Sequence, residues 1–307
     1  MDVVLTIDVE SYTGDYEAEV FAAGLGLPFI LDCCARHGVR ATFFVEALGA
    51  TRWGPAGLRR ICDALAAAGQ DVQLHVHPIV ARLDGFVDRE DVLWKWDASV
   101  QTRLLEEGLR QLRACAAGNV FAFRAGDFAA DEATLEAMRR AGLPWGSNRD
   151  LDQKTSIRTK LNRSFPVFND LGGKDGIVDM PVTALRSPFS MLDGPYRHME
   201  IAAMGTREMC DGLAKAQRAG YAAACILTHP GEFFRRRGGA FRAWTKNCRR
   251  LDAVLAFASA HPDLRVTALD DLRARARIPS VSPPELRAHP LYSLMRIVSQ
   301  GIDRLRR

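Results

Sequence analysis

The sequence contains no apolar run approaching the ~18 residues that a membrane-crossing helix needs, so a helical integral membrane protein is not expected. It has no Cys-x-x-Cys pair, and its seven cysteines (33, 34, 62, 115, 210, 225 and 248) are odd in number. A disulfide framework is therefore not expected, and reduced thiols in a reducing compartment are. No basic segment and long apolar stretch open the chain, which enters a strand-like run at Val3–Ile7. A secretory leader is not expected on that pattern, and a cytoplasmic location is. Charge of one sign is scarce: 41 Lys and Arg stand against 37 Asp and Glu, a net charge of +4. No basic run is interleaved with aromatics, which argues against a nucleic-acid partner. Internal repeats and low-complexity tracts are absent.

What is present is a 307-residue chain, 48% hydrophobic and 25% charged, enough to bury a large core without staples. Short β-branched runs alternate with longer helical patterns. Strands are predicted at about 3–7, 40–45, 71–77, 120–124, 223–228 and 264–267. Helices are predicted at about 17–37, 55–68, 98–117, 131–142, 206–220 (with Thr206 as N-cap) and 241–260. Between about 145 and 205 the pattern weakens, with β-like pieces at 164–168 and 177–181 that predict loops and a hairpin. Strand–helix alternation implies a parallel sheet covered by helices. About seven such units imply an α/β fold of the distorted (β/α)7-type barrel kind, with an irregular insertion. A Pro-rich stretch from Pro279 to Pro284 leads to a C-terminal amphipathic helix, so 1–278 is read as the barrel and 279–307 as linker and helix.

In parallel barrels functional side chains gather at the C-terminal ends of strands. Here those ends carry Asp8-Val9-Glu10, His75-Val76-His77-Pro78, Arg124-Ala125-Gly126-Asp127 and His229-Pro230. Residues two apart on an extended segment point the same way, so His75 and His77 can face one ion, and imidazole is the commonest zinc ligand. Asp8 and Glu10 share that spacing. One can complete a metal site while the other remains free as a base. Strand capping by hydrogen bonds is the bland alternative for the histidines, and a structural ion pair is the alternative for Arg124.

Five segments occur in order: Val-Leu-Thr-Ile-Asp-Val-Glu (4–10), Ala-Thr-Phe-Phe-Val (41–45), Gln-Leu-His-Val-His-Pro (73–78), Phe-Arg-Ala-Gly (123–126) and Ile-Leu-Thr-His-Pro (226–230). Together they resemble the polysaccharide deacetylase superfamily, carbohydrate esterase family 4 with the NodB-type fold, over about Asp2 to Leu272. The resemblance implies a metal-dependent deacetylase or deformylase with Asp8 as catalytic base, Arg124 orienting it, and His229 as the acid that protonates the leaving amine. It implies Glu10, His75 and His77 as ligands of a divalent ion, zinc foremost and cobalt or nickel as alternatives. An Asp8 that binds the metal itself is the competing assignment. Leu227 is implied to line the pocket for the acyl methyl. The sequence departs from the family in having His-x-His for His-x-x-x-His. It also has Gly126 and Asp127 where the family has Pro and Tyr. Gly126 is expected to let backbone approach the substrate, and the amide of Asp127 or Phe128 to act as oxyanion donor. An acidic partner for His229 is sought at Asp150 or Asp152.

Other features are weaker. Arg236, in the run Arg235-Arg236-Arg237, is a candidate for an anionic substrate group, against a solvated basic loop. Trp94 and Trp96 suit packing better than sugar stacking. His198 is expected at the surface, and His37, His261 and His289 receive no role. Leu291, Leu294, Met295, Val298, Ile302 and Leu305 form one helical stripe with Arg296, Arg304, Arg306 and Arg307 around it. Such a helix suits packing on the barrel or a second subunit, or peripheral contact with an anionic membrane. The expected substrate is an N-acyl amino sugar, nucleotide- or lipid-linked, in O-antigen, capsule or other glycan precursor biosynthesis. A hydrolase of a non-sugar amide, and a non-catalytic sugar-binding or scaffold protein on the same barrel, are the alternatives.

Overall fold

The computed structural model describes residues 1–115, 117–152 and 159–305. Its centre is β1 (Asp2–Val9), in which every residue is buried. A strand covered on both faces belongs in the middle of a parallel sheet. β2 (Thr42–Glu46), β3 (Asp71–Val76), β4 (Ala122–Ala125) and β5 (Trp145–Gly146) follow it in parallel. The sheet ends in the antiparallel pair β6 (Gly172–Lys174) and β7 (Ile177–Asp179). A second hairpin pairs β8 (Ala184–Arg186) with β9 (Tyr196–His198). β10 (Ala223–Thr228) lies on the other side of β1, β11 (Phe234–Arg237) pairs with β12 (Ala240–Ala243), and β13 (Arg265–Val266) joins the first residues of β1. The order across the main sheet is β10–β1–β2–β3–β4–β5–β7–β6.

This curled sheet is the distorted α/β barrel that strand–helix alternation predicts. Among the described residues it is not closed strand to strand. Instead the β8–β9 region fastens along the free edge of β10: the Thr183 amide donates to Cys225 O, the Leu227 amide to Met199 O and the Ile201 amide to Leu227 O, at 3.1, 2.8 and 3.0 Å. The long helices are α1 (Leu27–Arg36), α2 (Ala56–Ala67), α3 (Ala98–Ala114), α4 (Glu132–Arg140), α5 (Thr206–Arg218), α6 (Thr245–Ala260) and α7 (Pro290–Leu305). Two of them are capped by a carboxylate at their starts. Asp97 accepts from the amides of Ser99 and Val100 ahead of α3, and Asp131 with Thr134 forms a capping box on α4; each such cap contributes ~1 kcal/mol. No single described helix is long and apolar enough to cross a membrane.

Period-two alternation decides what faces inward. Val3, Leu5 and Ile7 pack with the helix-side core, whereas Val4, Phe44, Ala122, Cys225 and Leu227 pack together inside the barrel. The inner parity therefore runs through 4, 6, 8 and 10 on β1 and its extension. It runs likewise through 73, 75 and 77 on β3, 122 and 124 on β4, and 225, 227 and 229 on β10. Parallel register then aligns the strand ends, with Glu46 opposite His75 and His75 opposite Arg124.

Several expectations need correction. The helix predicted for 17–37 is broken: a π-helical turn (Glu17–Phe21) and a 3-10 turn (Ala22–Gly24) precede α1, with Ala22 and Ala23 at positive φ. Residues 240–243 are strand, not the start of α6, because Gly238 and Gly239 (φ 56° and 79°) turn the chain back in a hairpin, as a two-residue turn of primed type requires. Residues 164–168 form no strand, and the cap residue of α5 is Gly205 rather than Thr206. Between the barrel and α7, Ser282 Oγ accepts from the Phe168 amide at 2.8 Å and Leu286 O from the Arg186 amide at 2.8 Å, which leaves the division read at 278 as it was.

Candidate active site

The inner-parity positions meet above the strand ends at a cavity of about 490 Å³, lined among others by Asp8, Glu10, Tyr12, Asp127, Leu227 and His229. That volume is in the range of small-ligand sites.

The histidines of β3 are held from behind. His75 Nδ1 lies 2.8 Å from Arg124 O, and His77 Nδ1 lies 2.5 Å from Asp91 Oδ2. A carbonyl and a carboxylate can only accept, so both Nδ1 atoms carry a proton and both Nε2 atoms face forward. They face each other at 3.1 Å, and Glu10 Oε1 sits 3.0 Å from one and 3.1 Å from the other. With both imidazoles neutral, these three electron-pair donors stand close enough to share one cation. Donors about 2.1 Å from one tetrahedral ion lie roughly 3.4 Å apart, close to what is found. Imidazoles backed by a carboxylate or carbonyl are also the usual supporting arrangement for metal ligands. Glu10, His75 and His77 therefore fit a divalent ion. Burial opposes charge on both Glu10 and His77, yet their mutual attraction holds Glu10 well below, and His77 well above, their ordinary values. Tyr12 donates to Glu10 Oε2 at 3.1 Å, and burial with the Glu10 charge pushes its phenol above the usual range.

Asp8 stands beside this group. Its Oδ1 accepts from Arg124 Nη1 at 2.6 Å, and Oδ2 lies 4.0 Å from His229 Nε2. Arg124 is fully buried on β4. It also donates to Thr6 Oγ1 (3.0 Å) and Ser147 Oγ (2.7 Å) and lies 4.3 Å over the Phe44 ring. Such a guanidinium fixes the carboxylate in one orientation, because Asp8, Thr6 and Phe44 are themselves held by β1 and β2.

His229 follows β10. Its Nδ1 lies 2.7 Å from Glu232 Oε1, and its Nε2 lies 4.0 Å from Glu10 Oε1. Burial works against the imidazolium, but Glu232, Glu10 and Asp8 outweigh it and raise its pKa to about 10. Glu232 also accepts from Thr228 Oγ1 at 2.7 Å. Thus the acidic partner expected at Asp150 or Asp152 is Glu232. Asp150 instead meets His198 Nδ1 at 3.0 Å, and Asp152 meets Arg197 at 3.0 Å. His198 is not a surface residue. It is buried, lines the cavity and reaches Glu200 Oε2 at 3.2 Å, and Asp150 with Glu200 holds it well above its ordinary pKa although burial opposes this.

The remaining candidates separate. Asp127 and Leu227 line the cavity, and Asp127 and Phe128 both have positive φ (49° and 55°). Gly126 lies against His77: a Cβ there would come within 2.4 Å of Nδ1. The close approach that requires glycine is thus to the imidazole. Arg236 is exposed on the β11–β12 hairpin, paired across from Phe241, while its neighbour Arg235 lines the cavity, 4.3 Å over Trp244. Trp94 lies under Lys160 Nζ at 3.5 Å and Trp96 packs on Phe86. All seven cysteines are free.

No protein-family model matches the sequence, and no curated protein matches it. Similarity appears in structure. A Mycobacterium smegmatis protein assigned as a polysaccharide deacetylase superposes with a TM-score of 0.56 at 17% identity, over 93% of this chain and 94% of that one. A 4-α-glucanotransferase from Thermococcus litoralis gives a TM-score of 0.59 at 11% identity, over 93% of this chain but 42% of the larger protein. The two neighbours carry different activities, so the barrel alone does not select a reaction. The chain has the fold of the polysaccharide deacetylases.

Proposed function

We propose that this protein is a metal-dependent amide hydrolase that removes an N-acetyl or N-formyl group from an amino sugar, nucleotide- or lipid-linked, in glycan precursor synthesis. The observation that carries this reading is the convergence of Glu10, His75 and His77 on one point, with Asp8 and His229 Nε2 4.0 Å apart beside it. Binding alone needs no such acid–base pair. Glu10, His75 and His77 would hold a divalent ion, which when bound would supply Lewis-acid polarisation of the amide carbonyl and of the attacking water. Asp8, aimed by Arg124, takes the proton from the water as the bond to carbon forms. His229, kept protonated at neutral pH by Glu232, gives a proton to the amine nitrogen as the C–N bond breaks. Leu227 walls the cavity where a small acyl group would lie, and the Asp127 and Phe128 backbone forms the adjoining wall.

The test is release of acetate or formate from acetamido and formamido sugars by zinc-, cobalt- or nickel-loaded protein. Wild type is expected to turn over and Asp8→Asn to lose ~10²–10⁴-fold while retaining metal. A metal-loaded wild type that releases neither acid from any member of the panel would sink the proposal.

A further inference from the structure

α7 is inserted the wrong way round for an ordinary surface helix. Such a helix turns its apolar stripe to the core. Here Leu291, Leu294, Met295, Val298 and Ile302 are 56%, 49%, 48%, 54% and 44% exposed. The polar side is the one that is packed. Ser293 Oγ donates to Glu208 at 2.6 Å, Arg296 meets Glu208 at 2.8 Å and also Asp193, Lys246 meets Asp303, and Gln300 donates to Ala203 O at 2.8 Å. Arg296, expected beside the outer stripe, is therefore buried beneath it. The side chains of Arg304 and Leu305, with Arg306 and Arg307, lie outside the described residues. The Asp193–Arg296 pair ties the short helix Ser190–Asp193 to α7, and that helix exposes Met191 and Leu192 at 100% and 80%. Buried ion pairs are thus spent on holding seven large apolar side chains in water, which folding alone does not explain.

A basic segment leads into α6, whose Lys246 bonds to Ser299 and Asp303 of α7. From Phe233 to Leu251 the sequence has seven Lys and Arg and no Asp or Glu; Arg250 is buried against Ile201 O and Ala202 O and Lys246 is paired with Asp303, which leaves Arg236, Arg237, Arg242 and Arg249 exposed. Pairing of Arg235 with Arg242 puts Arg235, Arg237 and Arg242 on one side of the β11–β12 ribbon, and Arg237 and Arg242 are exposed. Gln300 and Asp303 of α7, and Arg235, Trp244 and Lys246 from the hairpin side, line the same cavity. α7 and the hairpin side therefore border one cavity.

We propose that this face docks on an anionic lipid bilayer, with the α7 stripe and Met191–Leu192 entering the headgroup boundary and the hairpin arginines meeting lipid phosphates, so that the cavity opens at the lipid surface. The sign of the charge selects this occupant. An apolar helix face flanked by cations is what an anionic interface binds. A second copy of the chain would set one basic hairpin near the other in a two-fold dimer. The inference does not depend on the hydrolase reading, since it is read without turnover.

The experiment is co-sedimentation of the full chain with phosphatidylcholine vesicles, with and without phosphatidylglycerol. Wild type is expected to pellet with the anionic vesicles and to be released by added salt. Leu294→Glu/Val298→Glu, at exposed positions, is expected to stay in the supernatant with an unchanged melting curve. Arg237→Gln/Arg242→Gln, which leaves α7 untouched, is expected to bind roughly 10- to 30-fold more weakly, about fivefold per cation. Wild type that remains in the supernatant with anionic vesicles overturns the proposal, as does a Leu294→Glu/Val298→Glu variant that pellets like wild type. A concentration-dependent dimer, dispersed by the same substitutions and indifferent to vesicles, overturns it in favour of a second copy.

Discussion

The two walls of the cavity are built by different means. Asp8, Glu10, His75, His77 and Arg124 stand at inner-face positions on or just beyond β1, β3 and β4, where parallel register determines who meets whom. His198, Glu200, His229 and Glu232 stand on a hairpin end, an isolated bridge to Leu227 and a 3-10 turn. On the first wall His75, His77 and Glu10 are each held by a neighbour, and their inner atoms converge. On the second, carboxylates and imidazoles alternate, from Asp150 through His198 and Glu200 to His229 and Glu232. Strand ends give the fixed spacing a cation needs. A chain of titratable groups suits the holding and release of a proton, with burial and the Glu200 charge raising Glu232 while His198 holds Glu200 down.

The contrast can be broken first at Arg124. Arg124→Leu leaves Asp8 buried without its cation, and removal of one member of a buried pair costs ~3–5 kcal/mol. Chemical denaturation should show that loss, and adding Asp8→Asn should recover much of it. No loss would mean the strand-end wall is not held by this pair. The next effect concerns ligand support. Asp91→Asn keeps the shape but removes the carboxylate behind His77, and metal affinity measured by competition with a chelator should fall about 10- to 100-fold. The same substitution should leave the pH profile set by His229 in place.

Glu232→Gln acts on the other wall. The pKa of His229 is raised from 6.5 to about 10, so its charged form contributes stability in full below about 6.5, and that contribution is lost as pH rises towards 10. As a general acid His229 is active when protonated, which places its limb on the alkaline side. Removing the Glu232 charge should move that limb of kcat/KM down by about one pH unit or more, a roughly tenfold loss at alkaline pH, with metal content unchanged. An unmoved limb would separate His229 from the proton transfer.

How much of this was legible in the sequence follows the same division. His75 and His77, Asp8 and Glu10 could be paired from their i, i+2 spacing because strands repeat every two residues. Glu232 was missed, although the Pro230-Gly231 turn brings its amide to His229 O at 3.1 Å, and a turn of this kind sets residues three apart side by side. His-Pro-Gly-Glu was the available signal. Asp91 could not be found, since it reaches His77 from a loop 14 residues on, where no periodicity operates. The burial of His198 depends on the β8–β9 hairpin closing the barrel seam, a tertiary event in the stretch with the weakest pattern. For α7 the stripe was legible but its direction was not, because Asp193 and Glu208, about 100 and 90 residues earlier, decide which side is packed. Residues 241–243 of β12 were misread as the start of a helix, despite Gly238-Gly239 between two short runs, the ordinary mark of a tight hairpin.

The central claim is that β1 and β3 hold one divalent ion. Elemental analysis of the purified chain after loading with zinc, cobalt or nickel, beside the His75→Ala/His77→Ala variant, tests it most directly. The account predicts about one ion per chain in the wild type and none retained in the variant, with wild-type binding releasing protons as pH falls towards the histidine range. A wild type that takes up no ion, or a double variant that keeps it, contradicts the account.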